Sequence, residues 1–204
     1  MKNLKLNEPR AEKIEKTLSI HGDDRVDEYY WLNKRGDKKV LDYLNSENKY
    51  RKELMKDYES LEKEIFNEIK SRIKEDDSSV PYFDNQYFYY TRYEKDKQYP
   101  IYCRKKGSLD SKEEILIDAN IMSEGHEYFR VGDIEISPDN KIMAYSIDTV
   151  SRRIYTIHFK NLETGKNLSK KIPNTSGSIT WANDNKTFFY NLKDLETLRT
   201  ERVM

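Results

Sequence analysis

Residues 134–148, IEISPDNKIMAYSID, and residues 179–194, ITWANDNKTFFYNLKD, are two renderings of one pattern. Each has a short strand-like run, a turn ending in Asp-Asn-Lys, and a second run of aromatic or aliphatic side chains. Alternate residues of a strand share a face, and Asp and Asn favour turns because their side chains bond nearby backbone groups. Asp139 and Asp184 stand 45 residues apart, and a weaker echo, FDNQYFYY, fills 83–90. A period near 45 with about four strands per unit suits a β-propeller blade. Residues 133–173 then hold one whole blade, 80–118 a looser earlier one, and 178–204 a blade cut short. Two good repeats leave a meandering antiparallel sheet or a sandwich as the alternative.

Outward from the repeat, the segment from Val80 onward breaks into short β-like runs: Gln86–Arg92, Pro100–Arg104, Asp133–Ser137, Lys141–Ile147, Arg153–Lys160 and Lys186–Leu192. In Arg153–Lys160 the alternation puts Tyr155, Ile157 and Phe159 on one face and Ile154, Thr156, His158 and Lys160 on the other. Turns fall at Pro138-Asp139-Asn140 and at 161–166, where Gly165 can take positive φ.

Before Asp76 the period changes. Residues 37–75 read as helical, with Asp37 as N-cap and Leu54, Tyr58, Leu61, Ile65, Ile69 and Ile73 spaced by three and four along one stripe. Such a stripe is made to bury against a neighbour; late four-residue steps favour a folded body over a coiled-coil seam. Residues 1–36 look irregular, apart from a turn of helix over 29–32 that Asp27 can cap. The expected division is an arm over 1–79 and a β region over 80–204.

Composition narrows the function classes. Charged residues are 36% of the chain, but 16 Tyr, 7 Phe and 2 Trp supply apolar area enough for a core. Lys plus Arg and Asp plus Glu both total 37, a balance that predicts no nucleic-acid or membrane partner. One cysteine, Cys103, excludes an intrachain disulfide, and the first residues lack the apolar run of a signal peptide. These features point to a cytoplasmic protein.

The segment HGDDRVDEYYWL (21–32) resembles the entry motif of the prolyl oligopeptidase family of serine peptidases, in the form of its oligopeptidase B branch. Further stretches resemble the same branch in the same order: VLDYLNSENKY (40–50), EIKSRIKEDDSSVPY (68–82), YPIYCRKK (99–106), LIDAN (116–120), ISPDNKIMAYSID (136–148), SRRIYTIHFKNLETG (151–165) and WANDNKTFFY (181–190). The resemblance implies a mainly β fold with an N-terminal helical arm: a partial seven-bladed β-propeller, here blades 1, 2 and an incomplete 3. In the family the propeller covers an α/β-hydrolase domain that carries Ser, Asp and His in that order. The arm packs on that domain, and the branch cuts short peptides after Lys or Arg.

No G-x-S-x-G nucleophile elbow occurs in the 204 residues; the nearest fragment is Gly177-Ser178. No catalytic residue is therefore carried over, and no cofactor or metal is expected. His21 with Asp23 and Asp24 has the chemistry of a metal site, but no second ligand cluster is suitably spaced, so His21 reads as ordering a turn. His126 reads as a loop residue and His158 as a propeller surface residue. Cys103 falls mid-strand and reads as a structural thiol. Arg152 and Arg153 read as a solvated strand end, and Glu75-Asp76-Asp77 as a charged linker.

The expected function is thus the docking and gating part of a serine oligopeptidase, inactive alone. Its partners would be the hydrolase domain, in cis or as a separate chain, and short basic peptides as substrates of the whole. The rival is a stand-alone module that binds a protein through its apolar stripe. Whether Met204 is a natural end, a frameshift product or an artificial boundary stays open.

Overall fold

A computed structural model describes residues 7–204. The chain divides into two compact units, 1–73 and 74–204.

The first unit begins with a hairpin, β1 (Lys16–Ile20) against β2 (Asp23–Asp27), with Ile20 opposite Asp23. His21 and Gly22 form its two-residue turn, both with positive φ (54° and 80°). That geometry matches the twist of paired strands. The expectation of irregular structure over 1–36 is corrected here, its first six residues lying outside the described ones. Both strands are largely exposed; β1 alternates only at Leu18 and Ile20, and β2 reads DDRVD, with Val26 as its one aliphatic residue. Asp27 accepts from the Tyr29 N–H at 2.9 Å and starts a 3₁₀ turn over Tyr30–Asn33. Trp31 from that turn is buried, donates its indole N–H to the Glu12 carbonyl at 2.8 Å, and meets Tyr43 edge-on.

Asp37 caps α1 (Lys38–Met55) by accepting from the Lys39 N–H at 2.8 Å. A 3₁₀ turn at Lys56–Tyr58 separates α1 from α2 (Glu59–Ser71), a break that the even apolar spacing concealed. Leu54, Leu61, Ile65, Ile69 and Ile73 are all exposed, Ile69 at 58%.

The second unit opens with a four-stranded antiparallel sheet in chain order: β3 (Tyr82–Asp84), β4 (Tyr87–Arg92), β5 (Ile101–Lys106) and β6 (Glu113–Asp118). A short α3 (Ala119–Met122), capped by Asp118, leads to β7 (Arg130–Ile136), β8 (Ile142–Asp148), β9 (Tyr155–Asn161), β10 (Asn167–Trp181), β11 (Phe188–Lys193) and β12 (Thr200–Val203). These last six form one antiparallel sheet in sequential order. In a partial propeller, β3–β6 make a first blade, β7 to the front half of β10 a second, and the rear half of β10 with β11 and β12 the start of a third.

β10 serves two blades. Its first half pairs with β9 and its second half with β11, and Thr175 belongs to both ladders. Between these halves the chain crosses the second blade strand by strand. Thr175 Oγ1 donates to the Tyr155 carbonyl on β9 at 3.1 Å. The Gly177 carbonyl accepts from Ser146 Oγ on β8 at 2.8 Å. The Ile179 N–H donates to Asp133 Oδ2 on β7 at 3.0 Å, and Trp181 Nε1 to the Glu135 carbonyl at 3.2 Å. Glycine is required at two points of this crossing. A Cβ on Gly132 would stand 2.5 Å from Ser146 Oγ and 2.7 Å from the Tyr155 ring, and one on Gly177 (φ 96°) 2.8 Å from that ring's other edge.

Alternation sets the core. Tyr155, Ile157 and Phe159 are buried as the pattern of β9 predicts. Ala144, Ile157, Phe159 and Ile179 pack with Trp181 and Phe188 between the second and third blades. Tyr89, Leu116, Ile117, Phe129, Met143 and Tyr145 pack between the first and second.

Candidate functional site

The seam between the first two blades carries asparagine bridges, a buried Arg–Glu pair and a cleft. The Asp-Asn turns of the repeat lie at one end of the blades and bridge both this seam and the next. Asn85, Asn140 and Asn185 all have positive φ (40°, 61° and 60°), the conformation that Asn tolerates best among residues with a Cβ. Their amides reach sideways between blades. Asn85 Nδ2 donates to the Pro138 carbonyl at 2.7 Å, Asn140 Nδ2 to the Asn85 carbonyl at 3.2 Å, and Asn185 Oδ1 accepts from the Asp139 N–H at 2.8 Å.

Beside these turns, Arg104 on β5 is buried at 2% exposure. Its Nε and Nη2 donate to both oxygens of Glu114 at 2.8 and 3.0 Å, and its guanidinium lies 4.0 Å over the Tyr87 ring. A fork-to-fork pair with a stacked face is the arrangement that lets an arginine leave water. Lys160 crosses from β9 to donate to the Leu116 carbonyl on β6 at 2.9 Å, and burial lowers its pKa.

Further along the seam is a cleft of about 330 Å³. Tyr82, Tyr89, Tyr90 and Tyr102 line it, together with Asp84 and Glu135. Tyr82 and Tyr89 are stacked, with centroids 5.5 Å apart. Burial, then the charges of Asp133 and Asp84, raise the Glu135 pKa. This cleft is the functional feature that sequence reasoning missed. Its residues come from five strands, and only the tyrosine-rich FDNQYFYY segment hinted at it.

The residues singled out in the sequence do not converge. His21 is exposed in the β1–β2 turn, together with Asp23 and Asp24 on β2. His126 is exposed, with its ring 6.0 Å from Phe129. His158, read as a surface residue, is instead half-buried: its ring stacks on Tyr145 at 5.3 Å and its Nε2 is buried without a partner. That face of β9 is turned to the first blade, which a single-strand pattern does not reveal. Cys103 is buried at 1% exposure, and burial followed by the Glu113 charge pushes its thiol up to about 11. A thiol so held is a poor nucleophile.

Arg152 and Arg153 are exposed in the β8–β9 loop. That loop is organised by the buried Asp148, whose carboxylate accepts from the N–H groups of Val150, Ser151 and Arg153. Asp77 accepts from the Ser78 N–H at 2.9 Å and pairs with Lys74, and Asp76 is exposed. Gly177-Ser178 lies in the β10 crossing, with no histidine among the residues bonded to it.

Comparison with known proteins agrees with this architecture. Residues 9–204 match the prolyl oligopeptidase N-terminal β-propeller domain. The chain is 40% identical over 210 residues to dipeptidyl aminopeptidase BI of Pseudoxanthomonas mexicana, covering 95% of this chain and 29% of that protein. It is 35% identical to protease 2 of Moraxella lacunata, covering 91% of this chain and 28% of that protein. The structure of oligopeptidase B from Leishmania major superposes with a TM-score of 0.84 at 34% identity, over 96% of this chain and 30% of that one. The chain thus spans about three tenths of the length of the curated relatives that it matches. Blade meander, entry motif and sequence identity agree, and the chain belongs to the prolyl oligopeptidase family as the N-terminal portion of its propeller region.

Proposed function

We propose that this chain is the docking and gating part of a cytoplasmic serine oligopeptidase that cuts short peptides after Lys or Arg. The observation that carries the docking role is apolar exposure along α1, α2 and the residues just after it: Leu54, Leu61, Ile65, Ile69 and Ile73 are all exposed. Apolar surface of this extent on a folded unit is characteristic of an interface. The partner is an α/β-hydrolase domain, in cis or on a second chain, that supplies the Ser, Asp and His of the peptidase reaction. The similarity to protease 2 and to oligopeptidase B supports the oligopeptidase B branch, and the Lys/Arg preference is what that resemblance implies. The blades would restrict substrates by size, as part of a ring over the active site. The single cysteine, reduced and buried, accords with a reducing compartment.

The test is hydrolysis of arginine and lysine ester substrates by the purified 204-residue chain, alone and with a hydrolase portion from a relative. The expected result is no turnover alone and turnover of both esters when the two are combined. Turnover by the chain alone would overturn the assignment, and so would no activity after a demonstrated association. The second reading, a stand-alone protein-binding module, rests on the same stripe; a complex with another protein and none with the hydrolase portion would favour it.

A further inference from the structure

We propose that the seam between the first two blades is a joint that opens while the rest of the unit stays folded, with β3–β6 moving as one leaf and β7–β12 as the other. The argument is independent of the peptidase assignment.

It begins with a contrast in how the blades are tied. The second and third blades share a strand: β10 runs through both, and their six strands form one sheet. Parting them would tear that ladder and the crossing from Thr175 to Trp181. The first blade is a separate sheet, joined to the second by the chain over 119–129. Among the described residues, no backbone N–H of 80–118 bonds a backbone carbonyl of 130–204, or the reverse. Side-chain donors cross instead: Asn85 to the Pro138 carbonyl, Asn140 to that of Asn85, and Lys160 to that of Leu116.

The filling of the two seams differs as well. Ala144, Ile157, Phe159 and Ile179 make the buried core of the second seam, and the buried Ser146 and Thr175 beside it are hydrogen-bonded. The first seam also has an apolar core, around Met143 and Tyr145, but it encloses unpaired polar atoms. Arg104 Nη1, Asn140 Oδ1 and His158 Nε2 are buried there without a hydrogen-bond partner among the described residues. The groups that do act on Arg104, Glu114 and Tyr89, are on its own leaf and do not tie the seam. A buried polar atom without a partner is costly, and it recovers its bonds in water.

Two clefts, of about 330 and 470 Å³, run between the same two blades, and residues of both leaves line each. Opening thus starts from surfaces that touch incompletely, and it brings water to the three enclosed atoms. A contact of this kind gives way at a lower free energy than the whole fold.

Met143 and Ala144 provide the test. They are adjacent on β8, both at 0% exposure, and belong to opposite cores, Met143 to the first seam and Ala144 to the second. Each is replaced by cysteine in the 204-residue chain with Cys103→Ala, and labelling by dithiobis(nitrobenzoate) is timed at low urea concentrations. Unfolding of β8 exposes both thiols together; the joint exposes only the first. Met143→Cys should label at least tenfold faster than Ala144→Cys, with a urea dependence far below that of global unfolding, because that dependence scales with the surface exposed. Ala144→Cys should label only as fast as global unfolding allows. Asn85→Gly removes a bond across the first seam. It should speed Met143→Cys several-fold beyond its effect on global stability and leave Ala144→Cys at the global rate. Urea melts supply the global stability of every variant, and Ala119→Cys, in the first-seam core at 1% exposure, is the second reporter should Met143→Cys not fold. The proposal falls if the first-seam thiol labels with the urea dependence of global unfolding, if Ala144→Cys labels as fast with an equally weak dependence, or if Asn85→Gly changes both thiols alike.

Discussion

Asn85 and Asn140 clasp successive blades at their first turns: the Asn140 side-chain N–H donates to the Asn85 carbonyl, and the Asn85 side chain reaches the carbonyl next to Asp139. Each residue does two things, holding a left-handed turn and bridging a seam. These separate by substitution. Asn140→Gly keeps the backbone conformation and loses the bridge, costing about 1 kcal/mol. Asn140→Ala loses both, adding about 1 kcal/mol for a Cβ at positive φ. Urea unfolding of the two variants should rank them in that order.

Gly132 and Gly177 pinch the Tyr155 ring from two sides. Gly132→Ala should destabilise the second unit by about 1–3 kcal/mol through overpacking. In a Tyr155→Leu background, where the ring is gone, the added cost of Gly132→Ala should shrink. A double-mutant cycle on urea midpoints reads this coupling. Additive costs would show that the close approach is not the cause.

His158 predicts an acid sensitivity. Burial first, then the Lys171 charge, lowers its pKa below the ordinary 6.5. Lys160 lies two residues along the same strand face, Tyr145 stacks on the ring, and Glu114 acts on Lys160 from the first blade. The folded state therefore binds fewer protons here than the unfolded chain. This contribution is complete above pH 6.5 and is lost as pH falls through the unfolded value toward the depressed folded one. His158→Gln should flatten the stability profile below pH 6.5, as measured by urea unfolding at successive pH values.

Cys103 should resist thiol reagents in the folded chain at pH 8, since both burial and a pKa near 11 suppress the thiolate. Its labelling rate should rise by orders of magnitude in denaturant, making it a reporter of opening of the first blade. Fast labelling of the native chain would contradict the buried placement.

Ile65→Glu with Ile69→Glu should leave the melt of the chain within about 0.5 kcal/mol, because both positions are already exposed. The same pair should abolish association with a hydrolase portion in a pull-down or sedimentation experiment. A large loss of stability would show that the stripe is part of this fold's own core.

The blade strands were legible because two signals coincide in them: alternation of apolar residues and an Asp-Asn turn that only a left-handed backbone satisfies. Asp139-Asn140 and Asp184-Asn185 located the strands on either side correctly. The β1–β2 hairpin was hidden because its strands are exposed and short, with only Leu18 and Ile20 alternating, which left His21-Gly22 as its clearest local mark. The burial of His158 and the cleft around Glu135 depend on which blade faces which. That relation is set by residues far apart in the chain, and one strand's pattern does not carry it. Glu135 in particular sits in a segment whose sequence reads only as a strand.

The passage from Thr175 to Ile179 acts as a ruler. It spends two residues on each strand that it passes, touching β9, β8 and β7 in turn. One residue more or fewer would leave every later contact out of step, including the turn at Asn185. Insertions and tags in this protein belong in the loops at 94–98 or 107–112; in the crossing, chain length itself is the specification.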